Sequence, residues 1–336
     1  MGAVLHFGAA DPLRCRFATS PLWETLAAVR ALREPPGRRY HAPWLAGLDV
    51  AHAQHTFAPL LALQPRVGDT PDFLAPPPLG PETAIEAELA RVRATPPDLV
   101  AAELARSLQG RGESASALGT ELLAAPAATR DRLADLEQQA WELLVAPWWP
   151  RLSALLAADV AHRAGRLAAA GLGEVLSDLH PQVRWSPGRL EVGHGGGGGG
   201  GAEGGQEREL GGAGLILVPS AFSWPSVCVL TDRPWAPMLV YPVRGVAALW
   251  DAPVPPPAAL ARLLGRGRAQ VLAALGALGG GGTTTGLAET LGLSPATVSE
   301  HLSALAGGGL VEHRRTGRSV RYTPTGLGVA LLGATA

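Results

Sequence analysis

Through the first half of the chain, apolar residues return every three or four positions, the spacing of a helix with one buried face. Leu22, Leu26, Val29 and Leu32 form the first such stripe, with Ser20 placed to cap the helix and Pro21 to open it. The run from Pro43 to Leu63 predicts a helix pair, and residues 65–81 a turn-rich stretch. From Glu82 to Leu179 the chain reads as mainly helical. Ile85, Leu89 and Val92 form one stripe, and Leu99, Leu104 and Leu108 belong to the next helix. The longest run, Arg130–Ala170, is expected to break at Ala146–Pro150, where proline lacks the amide hydrogen the ladder needs. At His180-Pro181 the pattern changes to alternation. VRWSPGRLEV, GLILVPS, SVCVLTD and MLVYPV predict a small antiparallel sheet over residues 183–250, packed on the helices. VLHF and RCRFA near the start read as partly extended.

The helical period returns at Ala258. Leu260, Leu263, Leu264, Val271, Leu272 and Leu275 predict one or two helices before a break at Gly279–Gly282. Leu287, Ala288 and Leu291 then mark a short helix that stops at Gly292. Ser294 can cap the next helix, which Pro295 opens and in which Val298, Leu302 and Leu305 lie on one face. Ala296, Glu300 and Ser303 fall on the opposite face, flanked by Thr297 and Ser299. After Gly307–Gly309, VEHRRTGRSVRY reads as two strands joined at Thr316-Gly317, with Arg314, Arg315, Arg318 and Arg321 around the tip. LGVALLGA closes the chain as an apolar helix. Helix, tight turn, helix and basic hairpin together predict a winged helix-turn-helix. Its second helix (295–306) presents small polar groups that let a backbone approach base edges, beside a wing (311–322) that lies along phosphates.

Charge sharpens that picture. The 336-residue chain has a formal net charge of −1. Residues 258–336 carry seven arginines (262, 266, 268, 314, 315, 318 and 321) against Glu289, Glu300 and Glu312, a net of +4 that leaves −5 for the rest. There is no lysine. A proline-rich stretch, 251–257, reads as a linker between a domain at 1–255 and another at 258–336. The Gly-rich stretch 193–205 lacks the Gly-Lys-Ser/Thr ending of a phosphate loop and reads as a flexible loop. The fold class expected is therefore α+β, mainly α: a helical N-terminal domain with a small antiparallel β-sheet, then a C-terminal winged helix.

The remaining chemistry is sparse. Cys15 and Cys228 stand too far apart to form a ligand or redox motif. His52 and His55, three apart with His41 and His6 nearby in sequence, are weak metal candidates, and no metal or other cofactor is expected. There is no nucleophile elbow, paired-carboxylate frame or cofactor fingerprint, so no enzyme is indicated. The absence of a leader pattern or apolar span leads to the expectation of a cytoplasmic protein without membrane contact.

The pattern Val298-Ser299-x-His301-Leu302-x-x-Leu305, followed by Gly309-Leu310-Val311 and Gly317-Arg318, resembles the ArsR-type winged-helix transcriptional regulators. The runs RFATSPLWETLAAVRAL, DLHPQVRW and LILVPSAFSWPSV resemble an uncharacterised domain that precedes winged helices in actinobacterial-type regulators. The resemblance implies a DNA-binding homodimer joined through the first and last helices of the module. Ser294, Thr297, Ser299, Glu300, His301 and Ser303 would lie at the groove, and Arg314, Arg315, Arg318 and Arg321 on phosphates. Many ArsR-type proteins sense metals through a Cys-x-Cys in the helix before the recognition turn. Here that helix, TTTGLAETLG, has no Cys, His or Asp. Sensing of a small molecule or partner is thus expected of the N-terminal domain. A protein-interaction adaptor that does not bind DNA is the alternative.

Overall fold

The computed structural model describes residues 3–33, 41–64, 70–109, 113–193, 206–223, 226–246, 249–250, 258–278, 281–291, 293–316 and 319–334. The linker 251–257, all but the first residue of the Gly-rich stretch, Trp224, Gly292, Gly317 and Arg318 lie outside them. Two compact units are present. One comprises Met1–Pro147 with Arg163–Val243, the other Trp148–His162 with Arg244–Ala336, the division falling within the long helix Trp149–Ala170.

In the first unit, strands β1 (Ala3–His6) and β2 (Arg16–Phe17) lead into helix α1 (Pro21–Ala31). Ser20 caps α1 as its spacing requires, its side chain accepting from the Trp23 amide at 3.0 Å. The expected helix pair is three short helices, α2 (Ala42–Ala46), α3 (Val50–Thr56) and α4 (Ala58–Ala62). Each has its own start: Pro43 and Pro59 open the first and third, and Asp49 accepts from the His52 amide at the second. Helices α5 (Ile85–Ala94), α6 (Pro97–Leu108), α7 (Glu113–Ala124) and α8 (Pro126–Ala140) follow. The expected break lies between α8 and α9 (Trp149–Ala170), where the chain makes a π turn (Trp141–Val145) and one 3₁₀ turn.

The strands depart from the single antiparallel sheet that alternation suggests. After α10 (Leu172–Ser177), the strands are β3 (Val183–Ser186), β4 (Arg189–Val192), β5 (Gln206–Glu209), β6 (Ile216–Ser220), β7 (Cys228–Leu230) and β8 (Met238–Pro242). They form two mixed four-stranded sheets, β3-β4-β1-β5 and β2-β6-β8-β7. β1 pairs parallel with β5, and β6 parallel with both β2 and β8. Every residue of ILVPS and MLVYP is buried, as befits parallel strands covered on both faces. Leu217, Leu239 and Tyr241 meet Leu5, Leu190 and Val192 of the other sheet, while Ile216, Val218, Met238 and Val240 join Ala18 in a separate cluster with Trp23.

This unit also buries ionisable groups. The Glu24 carboxylate accepts from the amides of Ala221 (2.9 Å) and Phe222 (3.4 Å), and Glu88 Oε2 from the Leu22 amide (2.8 Å). Burial pushes both carboxyls up to about 7 despite these bonds. Glu137 is fully buried and raised well above the ordinary carboxyl range by the same cause. His41 stacks on Phe222 with ring centroids 4.4 Å apart, and burial lowers its imidazole to about 4. It is thus separated in role from the exposed His52 and His55. Among the described residues, no helix is long and apolar enough to cross a membrane.

Candidate nucleic-acid interface

The second unit contains α11 (Ala258–Leu264), α12 (Arg266–Ala277), β9 (Gly282–Thr283), α13 (Thr284–Leu291) and α14 (Pro295–Gly307). A hairpin of β10 (Val311–Thr316) and β11 (Ser319–Pro324) follows, then α15 (Gly326–Ala334). β9 joins the hairpin as a third strand, pairing antiparallel with β11. The order is that of a winged helix. Its core consists of the apolar stripes of successive helices: Val271, Leu272 and Leu275 of α12, Leu287 and Ala288 of α13, and Val298, Leu302 and Leu305 of α14.

Helix α14 is fixed at both ends. At the start, Ser294 Oγ accepts from the Thr297 amide at 3.1 Å and lies 2.8 Å from Thr297 Oγ1, so both hydroxyls belong to the cap. At the end, Gly309 takes φ = +67°, a left-handed conformation that suits glycine. The Gly309 amide donates to Ala306 O and the Leu310 amide to Leu305 O, both at 2.9 Å. That bonding closes a Schellman motif and delivers Leu310 onto Leu305 in the core. With Val298, Leu302 and Leu305 inward, the residues left exposed between the two helix ends are Ala296, Ser299, Glu300, Ser303 and Ala304. This open face carries short side chains and one carboxylate. His301 stands at its edge, half-buried, with its Nε2 against Gly267 of α12.

On the wing, Arg314 stands directly opposite Arg321, and Arg315 opposite Val320. Arg314 and Arg315 are exposed; Arg321 is half-buried and donates from Nη1 to Gly281 O at 3.2 Å. Alternation places Arg314 and Arg321 on the same side of the ribbon, where two like charges in register oppose pairing. A phosphate between them would remove that cost. Of the ten residues expected at the interface, Ser299, Glu300 and Ser303 lie on the exposed helix face and Arg314 and Arg315 on the exposed part of the wing, while Ser294 caps the helix and Arg321 is bonded to Gly281 O. Thr297 and His301 are partly engaged by their own protein, and Arg318 lies outside the described residues.

The cap has a measurable weight. Ser294→Ala should destabilise the winged helix by about 1 kcal/mol, the usual cost of losing such a cap. Hydrogen exchange at the first turn of α14 would read it as faster exchange, and Ser294→Asp should restore protection. Unchanged exchange in the alanine variant would refute the capping role.

Two family models match the chain. Residues 266–314 match that of a helix-turn-helix domain, and residues 84–247 that of a family of unknown function (DUF5937). The first supports a DNA-binding regulator in general terms. No curated protein and no solved structure matches the chain.

Proposed function

We propose that the chain is a cytoplasmic, ArsR-type transcriptional regulator that binds duplex DNA as a homodimer, with its N-terminal domain sensing a small molecule or partner. The observation that carries this reading is the open face of α14 beside a basic hairpin. Short side chains let the helix backbone approach base edges, while arginines address phosphates. Ser299, Glu300 and Ser303 face the groove floor, and Glu300 is suited to accept from a cytosine amino group. The face has no Arg, Asn or Gln for bidentate base contacts, so DNA shape and the wing carry much of the selectivity.

Dimerisation is supported by the outer helices. Leu263 of α11 is 67% exposed, and Leu327 and Val329 of α15 are 62% and 58% exposed. GLGVALLGA has no charged residue, although much of its surface is open. An apolar helix left half uncovered gains free energy from a partner.

Selection of random duplexes by the full chain tests both points. The expected product is an inverted repeat with half-sites about 10 base pairs apart, or a multiple of that spacing. Leu327→Asp with Val329→Asp should give a monomer by light scattering that binds one half-site. No enriched sequence would favour the adaptor reading, and an unchanged dimer would move the interface elsewhere.

A further inference from the structure

Outside the recognition helix and the wing the module carries Arg262, Arg266 and Arg268, and the backbone fixes the place of the last two. They lie in Gly265-Arg266-Gly267-Arg268, at the junction of α11 and α12, where each glycine has its own physical reason. Gly265 adopts φ = +81° and ψ = 149°, a conformation that L side chains rarely take. Its amide closes α11 onto Ala261 O, and its carbonyl accepts from the Ala269 amide to start α12, both at 3.0 Å. Gly267 has a different constraint. A Cβ at this position would run into Nε2 of His301, so the missing side chain lets the imidazole of the recognition helix lie against the backbone of α12.

This contact sets where the arginines stand. Neighbouring helical residues diverge by about 100°, so Arg266 and Arg268 project to either side of the point where α12 meets His301. Both are exposed, and Arg268 Nη2 lies 3.6 Å from where a Gly265 Cβ would be. His301 and Thr297, four residues apart, mark the same edge of α14. Two cations are therefore carried beside the edge of a helix whose open face has short side chains and one carboxylate.

We propose that the first turn of α12 is a second phosphate-binding element, with Arg266 and Arg268 gripping the DNA backbone along the His301 edge of the recognition helix. The inference rests on the DNA-binding reading above and extends it. A helix seated in the major groove has a phosphate ridge along each flank. Cations at its edge complement that charge. The contact is with phosphates, so it strengthens binding to any sequence and sets how deeply the helix seats.

The test is a salt series on fluorescence polarisation, using the full chain with its selected duplex and with a duplex of mixed sequence. Arg266→Ala with Arg268→Ala should lower the slope of log affinity against log salt by about two and weaken binding roughly 30-fold at 0.15 M salt, on both duplexes alike. Arg266→Lys with Arg268→Lys keeps the charge and should restore the slope, which separates electrostatics from damage to the fold. If the wild-type chain binds and loses affinity when its wing arginines are removed, yet the Arg266/Arg268 alanine variant keeps its slope, this proposal is overturned alone. If the wild-type chain binds neither duplex, the DNA-binding reading fails with it. A slope lost in both the alanine and the lysine variants would assign the arginines to folding and overturn the proposal.

Discussion

Replacing Arg314, Arg315, Arg318 and Arg321 with alanine should cost the protein about three orders of magnitude in DNA affinity at 0.15 M salt. Each phosphate neutralised on a duplex contributes about 0.9 to the slope of log affinity against log salt, so four contacts account for roughly 3.6. Raised to that power, a salt concentration of 0.15 M gives a factor of about 10³. Stability should respond differently. Arg314 and Arg321 oppose each other in register, so their removal relieves a repulsion, although Arg321 also gives up its bond to Gly281 O. The variant is therefore expected to remain folded while its affinity falls and its salt slope flattens. Filter binding across 0.05–0.3 M salt reads both quantities. A slope unchanged from wild type would remove the wing from the interface.

The second large effect is a stability that declines as pH rises toward neutrality. The carboxyls of Glu24 and Glu88 are raised from 4.5 to about 7 by burial, so the folded state holds their protons more tightly than the unfolded chain. Their stabilising contribution is complete below about 4.5 and is lost as pH climbs to about 7, after which it stays constant. Between pH 5.5 and 8 the loss is about 2 kcal/mol for each, and Glu137 acts in the same sense. His41 opposes them. Its imidazole is lowered to about 4, so its contribution is complete above 6.5 and is lost as pH falls toward 4. Stability should therefore peak on the acidic side of neutrality.

Glu88→Gln isolates one of these contributions. Glu88 Oε2 accepts the Leu22 amide, and Oε1 has no hydrogen-bond partner among the described residues, so an uncharged amide keeps the bond with its carbonyl. The variant should lose about 2 kcal/mol less than wild type between pH 5.5 and 8. Urea unfolding followed by tryptophan fluorescence reports on this, because six of the nine tryptophans belong to the unit that holds Glu88 and none lies in residues 258–336. Equal pH dependence in variant and wild type would show that Glu88 is ionised throughout.

Local signals are strong where one helix turn or one cap decides the outcome. Ser20-Pro21 and Ser294-Pro295 each begin a helix, and Gly307–Gly309 end one, because capping and left-handed backbone are properties of adjacent residues. The helix-turn-helix and the arginine hairpin were legible for the same reason. The sheet was not. Alternation in VRWSPGRLEV marks a hairpin, and β3 and β4 form one. ILVPS and MLVYP, however, are continuous apolar runs, and periodicity does not specify whether such runs pair parallel or antiparallel.

What the sequence determined by itself, then, is the order of the elements, the inward stripe of α14 and the concentration of positive charge in the last quarter of the chain. All three follow from spacing and composition along the chain. Tertiary structure alone decided that β1 and β2 join sheets whose other strands come about 180 residues or more later, because such pairing depends on chain closure rather than on neighbours. It also decided that His301 lies against Gly267. The spacing of His301 puts it at the edge of an apolar stripe, but only a packed neighbour without a side chain shows what that edge meets. That contact brings Arg266 and Arg268, more than 30 residues earlier in the chain, beside α14.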